Sequence, residues 1–112
     1  MPATDAAQVA LGQDHTLALD SDRRTVYAWG KSSDGQLGVG GSAFLRSPCV
    51  SPALSAPLHG DVAVLAIYAR GDCSAAAHQQ SAPLAPKTVY VGKKCRDLEQ
   101  AFRGALNFAK LQ

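Results

Sequence analysis

A glycine-rich segment at residues 35–41 is the first place where this sequence could hold a ligand, because glycine-rich loops cradle phosphates. It reads GQLGVGG. A P-loop ends in Gly-Lys-Ser or Gly-Lys-Thr, and a dinucleotide-binding loop follows a strand and opens a helix. Neither pattern is present, and Pro48 follows too soon for a long helix. The segment is therefore predicted to be a glycine-dependent turn, and no cofactor-binding residue is assigned to it.

Three histidines could act as bases or metal ligands. His15 stands beside Thr16, whereas His59 and His78 are expected to lie isolated in loops. No nucleophile accompanies His15 in a recognisable pattern, so we predict a structural, hydrogen-bonded histidine. The three histidines lack metal-ligand spacing, and no metal site is predicted.

Three cysteines offer nucleophilic or redox chemistry. Cys49, Cys73 and Cys95 are separated by 24 and 22 residues, which is not the spacing of a metal-binding pair. Cys73 and Ser74 precede His78, but no catalytic signature surrounds them. An odd number of widely spaced cysteines indicates reduced thiols in the cytosol or nucleus, packed as small hydrophobic residues.

Two aromatic residues and a basic cluster complete the candidates. Tyr27 and Trp29 could stack a ligand, but their alternation within a strand favours packing between sheets. The basic run at residues 93–96 is short and is predicted to be solvated. No catalytic residue is predicted, and the chain is expected not to be an enzyme.

Composition supports a globular domain and excludes several partners. The 112 residues are 46% hydrophobic and 18% charged, with a net charge of +2. Nucleic acid is therefore an unexpected partner. No apolar run approaches the ~20 residues that span a bilayer, so no membrane association is predicted. The first eight residues resemble neither a secretory signal nor a mitochondrial presequence.

The elements that must position these residues are mostly short strands. Residues 8–19 are predicted to form one strand with a break at Gly12, with Leu17 and Leu19 on one face. A polar turn at residues 20–24 leads to a return strand at residues 25–30. Both faces of that strand are apolar, which implies cover on both sides.

The second half is interrupted by prolines. Residues 41–61 are predicted to be loops with short edge pieces. Strands are expected at residues 62–69, 75–77 and 88–92. Apolar residues from Leu98 to Ala109 recur at helical spacing, which predicts an amphipathic helix over residues 97–111.

Two short matches indicate an internal repeat of about 60 residues. Residues 10–12 match residues 69–71 at an offset of 59, and residues 25–27 match residues 88–90 at an offset of 63.

Three segments in the first copy resemble a repeat of the regulator of chromosome condensation family. Their order and spacing agree with the family, whereas the second copy lacks the His-Thr pair and the tryptophan. The residues that carry this structural motif are Gly12, His15, Thr16, Tyr27, Trp29, Gly30, Gly35, Gln36, Leu37 and Gly38.

The resemblance implies an all-β partial propeller of about two blades, the second degenerate, followed by a C-terminal helix. The expected organisation is a flexible N-terminus at residues 1–7, repeats at 8–92 and the helix at 93–112. The degenerate second copy suggests the C-terminal end of a longer propeller. In the family, the histidine at position 15 ties one strand to its neighbour.

The resemblance also implies a function. The chain is expected to be a protein–protein interaction module in the cytoplasm or nucleus, whose partners are a protein, such as a small GTPase, and the remaining blades of a longer chain. The alternatives are guanine-nucleotide exchange on a small GTPase and a truncated product with no function of its own.

Overall fold

The computed structural model describes residues 6–41, 44–56, 63–79, 87–96 and 100, and these ranges contain two antiparallel sheets. The strands are β1 (Ala6–Leu11), β2 (His15–Asp20), β3 (Val26–Gly30), β4 (Leu45–Val50), β5 (Val64–Arg70), β6 (Cys73–His78) and β7 (Lys87–Gly92). We call the sheet β1-β2-β3-β4 the first blade and the sheet β5-β6-β7 the second blade.

The first blade begins with a hairpin that the sequence analysis missed. Residues 8–19 were predicted to be one strand, which is wrong: β1 and β2 are antiparallel, and the Gly12 amide donates to the His15 carbonyl at 2.9 Å. The predicted hairpin around residues 20–24 is present. β4 is an exposed edge strand containing Pro48, which can occupy an edge because its missing N–H faces no neighbour.

The two blades repeat each other at a register that differs from the one predicted. His15 pairs with Gly30, and Cys73 pairs with Gly92, so His15 corresponds to Cys73 at an offset of 73 − 15 = 58. For β3 and β7 the offset is 92 − 30 = 62. The predicted offsets of 59 and 63 are each one residue too long. A one-residue slip moves every side chain to the opposite face of its strand.

The main core lies between the blades. Leu17, Leu19, Val26 and Ala28 project from the first blade, and Ile67 packs with them from the second. Leu37 and Leu54, from the segments flanking β4, are fully buried in the same cluster. The prediction that Leu17 and Leu19 share one buried face is confirmed.

The opposite face of the second blade, which we call the far face, is covered as well. Cys73, Ala75 and Ala77 are fully buried there, with Tyr68, Tyr90 and Cys95 packed against them. Cys73 and Cys95 form a disulfide with a Cα–Cα distance of 5.3 Å, so the prediction of three reduced thiols is wrong. Cys49 is free and exposed. The disulfide also removes one ground for the expected cytoplasmic or nuclear location, because disulfides persist in oxidising compartments.

The C-terminal helix predicted over residues 97–111 falls almost wholly outside the described residues and stays a prediction. His59 and the start of the predicted strand at residue 62 also lie outside them. No helix among the described residues is long and apolar enough to cross a membrane.

Candidate functional site

A buried polar relay joins the two blades. His15 Nε2 lies 2.7 Å from Ser74 Oγ, and Ser74 Oγ lies 2.6 Å from the Gln36 carbonyl oxygen. All three residues are buried. The family resemblance implied that His15 would tie one strand to its neighbour, but its bond crosses to the other blade.

The hydrogen-bond pattern defines the state of the imidazole. The Gln36 carbonyl can only accept, so the Ser74 hydroxyl donates to it and accepts from His15 Nε2–H. His15 Nδ1 is then unprotonated, and it is buried without a hydrogen-bond partner. Burial lowers the pKa of His15, although Asp72 and Asp14 nearby act to raise it. Burial therefore favours the neutral ring, although the hydrogen bond from Nε2–H to Ser74 could form in either protonation state.

The contact between His15 and Ser74 has the spacing of a nucleophile and its base, but not the surroundings. Both side chains are buried, and the serine proton is directed at the Gln36 carbonyl rather than at the imidazole. A catalytic base must receive that proton, and a substrate must reach the oxygen. The arrangement therefore holds the two blades together and presents no reactive oxygen to solvent.

Gly12 lies directly against the imidazole. A Cβ at this position would collide with Cε1 and lie 2.5 Å from Nδ1 of His15. The absent side chain, rather than an unusual backbone conformation, is what the site requires. Thr16 follows His15 on the opposite face of β2, and Gly30 pairs with His15 at the end of β3.

The glycine-rich segment is a turn packed into the interface. Gly38 has a φ of 64°, and a Cβ there would lie 2.7 Å from Ser51 Oγ, so the position favours glycine on two grounds. Gln36 and Leu37 are fully buried. The Gln36 side chain accepts from the Asp34 amide at 2.9 Å and donates to Asp72 at 3.4 Å, while Gly35 has no atom near its Cβ position.

A small charged network closes the same end of the interface. Lys31 Nζ lies 3.6 Å from Asp34 and 3.5 Å from Asp72, and Lys93 Nζ lies 3.0 Å from Asp34. The hydrogen bond from Lys93 lowers the pKa of Asp34, and the charge of Asp72 raises the pKa of Lys31. These pairs are partly exposed, so they fix the orientation of the side chains more than they stabilise the fold. Among the described residues, no cluster of histidine, cysteine and carboxylate side chains could hold a metal ion.

The Gln8 side chain binds the backbone of the second blade in the way that a neighbouring strand would. Its side-chain nitrogen donates to the Ile67 carbonyl at 2.8 Å, and its side-chain oxygen accepts from the Ile67 amide at 2.9 Å. The pair satisfies both backbone groups on the free edge of β5. The sequence analysis missed Gln8 and Ser74. A comparison at the offset of 58 would have aligned Ser74 with Thr16, whereas no signal marks a glutamine whose partners are backbone atoms.

His78 lies in β6 and not in a loop as predicted. It is buried, and its Nε2 lies 2.7 Å from the Leu54 carbonyl. His78 also lines a groove of about 490 Å³ between the blades, together with Ser55, Lys87 and Val89. The lining residues that the structure describes are mostly apolar, and Lys87 is the other titratable residue among them.

The outer surface of the first blade, which we call the open face, is apolar and uncovered among the described residues. Val9, Leu11 and Val50 are 56%, 70% and 50% exposed. Tyr27 and Trp29 are partly buried on this surface and do not face the second blade, so the prediction that they pack between two blades stays a prediction. Strand pairing places the following residues on the open face: Val9, Leu11, Thr16, Ala18, Tyr27, Trp29 and Val50.

Part of this sequence is similar to known proteins. Residues 6–36 match the Regulator of chromosome condensation (RCC1) repeat. The Ultraviolet-B receptor UVR8 of Arabidopsis thaliana is 46% identical over 48 residues, which are 43% of this chain and 11% of UVR8.

Two solved structures share the fold. Human WBSCR16 superposes with a TM-score of 0.51 and 29% identity, over 74% of this chain and 25% of that one. A chain in the structure of Kap60 bound to yeast RCC1 (Prp20) superposes with a TM-score of 0.54 and 26% identity, over 67% of this chain and 16% of that one. The chain thus spans a quarter or less of the length of these relatives.

The matched repeat covers β1 to β3, which carry His15 and all of the open face except Val50, and the beginning of the glycine-rich turn. The superposed structures extend the likeness to most of the described residues. Residues 6–36 are therefore similar to an RCC1 repeat, and the two antiparallel sheets of the described residues are similar in fold to part of these two solved structures.

Proposed function

We propose that the chain is a protein–protein interaction module that binds through the open face. The observation that carries this proposal is the row of exposed apolar side chains on a rigid sheet, above all Val9, Leu11 and Val50. Contiguous exposed apolar surface marks interaction sites more often than isolated exposed residues do. The structure of yeast RCC1 bound to Kap60 supports a protein as the class of partner.

The module is proposed to bind without catalysing a reaction. The support for this view is that the one histidine–serine contact in the described residues is buried and directs the serine proton to a carbonyl. A scaffold that binds partners through its surface explains why the open face is apolar and exposed, and it requires no catalytic residue there.

Site-specific photocrosslinking in cells tests the proposal. A photoreactive phenylalanine analogue replaces Leu11 on the open face, and a matched probe replaces exposed Ser21 in the β2–β3 turn. We expect the probe at position 11 to capture a protein that the probe at position 21 does not. Once purified, that protein should bind the natural chain, and Val9→Asp should weaken the affinity at least about tenfold, because it places a charge in an apolar contact.

Val9→Asp should leave the folded state intact, because Val9 is 56% exposed and surface substitutions usually change stability by no more than about 0.5 kcal/mol. Equal capture by both probes, or an affinity that Val9→Asp leaves unchanged, would overturn the proposal.

Guanine-nucleotide exchange is a second candidate, supported by the likeness to the structure that contains yeast RCC1. The matched residues are those that build the blades, so none of them is assigned a role in exchange. Release of a fluorescent GDP from small GTPases measures this activity directly. A rate equal to spontaneous release at saturating chain concentration would exclude the activity for this chain.

A further inference from the structure

The groove between the blades combines an apolar lining with one pair of polar side chains. Its volume is about 490 Å³, and Ala53, Ala56 and Val89 are among the residues that line it. Small-molecule sites have volumes of about 300–1,000 Å³, are lined mostly by apolar side chains and carry a few polar groups that fix the ligand. The groove therefore has the size and the character of a site for a small ligand.

The polar pair is formed by His78 and Lys87, which are direct partners in β6 and β7. Side chains of directly opposed residues in an antiparallel pair project from the same face, with Cβ atoms about 4.5–5.5 Å apart. The Leu54 carbonyl can only accept, so His78 Nε2–H donates to it at 2.7 Å and fixes the ring in place. Lys87 is exposed and forms no ion pair with a described residue.

The polar groups of the groove indicate the charge of its ligand. No aspartate or glutamate is among the lining residues that the structure describes, whereas Lys87 supplies an ammonium group. Apolar surface nearby lowers the local dielectric constant and strengthens the attraction between an ammonium and a carboxylate. The hydroxyl of Ser55 already bonds to the amide and carbonyl of Val26. An anionic group therefore complements the polar part of the groove.

We propose that this groove binds a small monocarboxylate with an apolar body, of the fatty-acid type. The carboxylate accepts hydrogen bonds from the Lys87 ammonium, and the hydrocarbon part lies against Ala53, Ala56 and Val89. This site goes beyond the proposed function and does not depend on it. Of the residues on the open face, Val50 alone also lines the groove.

Octanoate is the probe, and octanol and octylammonium are controls of equal chain length without the negative charge. Each compound is titrated into the natural chain and followed by the chemical shifts of the amides in NMR. Octanoate is expected to shift the amides of Ala53, Ala56 and Val89. The amides of Val9 and Leu11 on the open face should not shift. Octanol and octylammonium should bind at least about fivefold more weakly, the size of a strong exposed ion pair.

Two lysine variants locate the charge that binds the carboxylate. Lys87→Gln should raise the dissociation constant of octanoate about fivefold, because it removes the ion pair. Lys94→Gln removes the same charge from an exposed position beyond the other end of β7, where salt screens it from the groove. It should change the dissociation constant by less than about twofold. Both residues are exposed, so urea unfolding should show unchanged stability for both variants.

Equal effects of the two lysine variants would overturn the inference, as would octanol that binds as tightly as octanoate. Shifts confined to Val9 and Leu11 would place the hydrocarbon on the open face and would overturn it as well. The absence of any shift at the solubility limit of octanoate would have the same meaning. The photocrosslinking experiment at position 11 concerns a different surface, so either proposal can fail without the other.

Discussion

The buried position of His15 between the two blades favours the uncharged imidazole. Ser74 accepts from Nε2–H, and Nδ1 is buried and makes no hydrogen bond, so a second proton would place a charge in a buried position. The free-energy cost of burying a charged imidazole lowers the pKa of His15. We therefore expect the stability of the junction between the blades to depend on pH.

We predict that the chain loses stability as the pH falls below about 6.5, the pKa of histidine in an unfolded chain. Because burial lowers the pKa of His15 in the folded state, the unfolded state binds the proton first, and the stabilisation present at higher pH is lost as the pH falls. Urea unfolding between pH 5 and 8 measures it. His78→Gln should retain the dependence on pH and His15→Asn should flatten it; the reverse result would assign the effect to His78.

Gly12→Ala should destabilise the fold by about 1–3 kcal/mol, the usual cost of overpacking, because the new methyl group meets the His15 ring. The same substitution in a His15→Ala background should cost much less, since the ring is then absent. A double-mutant cycle of unfolding free energies measures the coupling. Additive costs would show that Gly12 is needed for another reason, such as its backbone conformation.

At the scale of the strands, the alternation of side chains predicted which residues share a face, whereas the repeat comparison did not predict the register between the two blades. The pattern in residues 25–30 correctly separated Val26 and Ala28 from Tyr27 and Trp29. Gly12 was predicted to be a bulge within one strand. A glycine can mark either a bulge inside a strand or the start of a tight turn, and the neighbouring residues do not distinguish the two. The repeat was detected through common residues, and alanine, glycine and valine matches do not resolve a shift of one position.

Contacts between the blades were less predictable, because their partners are distant in sequence or belong to the backbone. His15 was recognised as a structural residue, but its partner Ser74 is 59 residues away. Gln8 binds only the amide and carbonyl of Ile67, which leave no trace in the side-chain sequence. The pairing of Cys73 with Cys95 was hidden by the odd number of cysteines.

Gln8→Ala is predicted to cost about 1–3 kcal/mol of stability, because it removes two hydrogen bonds and exposes two backbone groups of β5 without partners. Hydrogen exchange should show faster exchange of the Ile67 amide than in the natural chain. Gln13→Ala, at an exposed position in the β1–β2 turn, is the matched control. If the Ile67 amide exchanges equally slowly in both variants, the side-chain bridge does not protect it.

At the scale of the whole chain, the disulfide marks a difference between the two blades. Cys73 corresponds to His15, so the residue that reaches the next blade in the first sheet instead forms a covalent bond to Cys95, beyond β7, in the second. The described part of the chain therefore has an open face at one end and a covered far face at the other.

Reduction of this disulfide should lower the free energy of unfolding by about 2–4 kcal/mol, the typical contribution of a crosslink that closes a loop of this kind. Thiol titration in denaturant should find one reactive group, Cys49, before reduction and three after it. Three thiols before reduction would contradict the pairing, whereas Cys49→Ser should not alter the response to reductant.

The covered far face makes the two ends of the described part unlike. Blade-on-blade packing is a head-to-tail contact between unlike surfaces, and head-to-tail contacts that do not close into a ring continue into filaments. A molecule with both surfaces free could extend such a row indefinitely. In the described part of this chain, exposed apolar side chains of this kind lie on the open face, whereas the far face carries the Cys73–Cys95 disulfide over buried alanines.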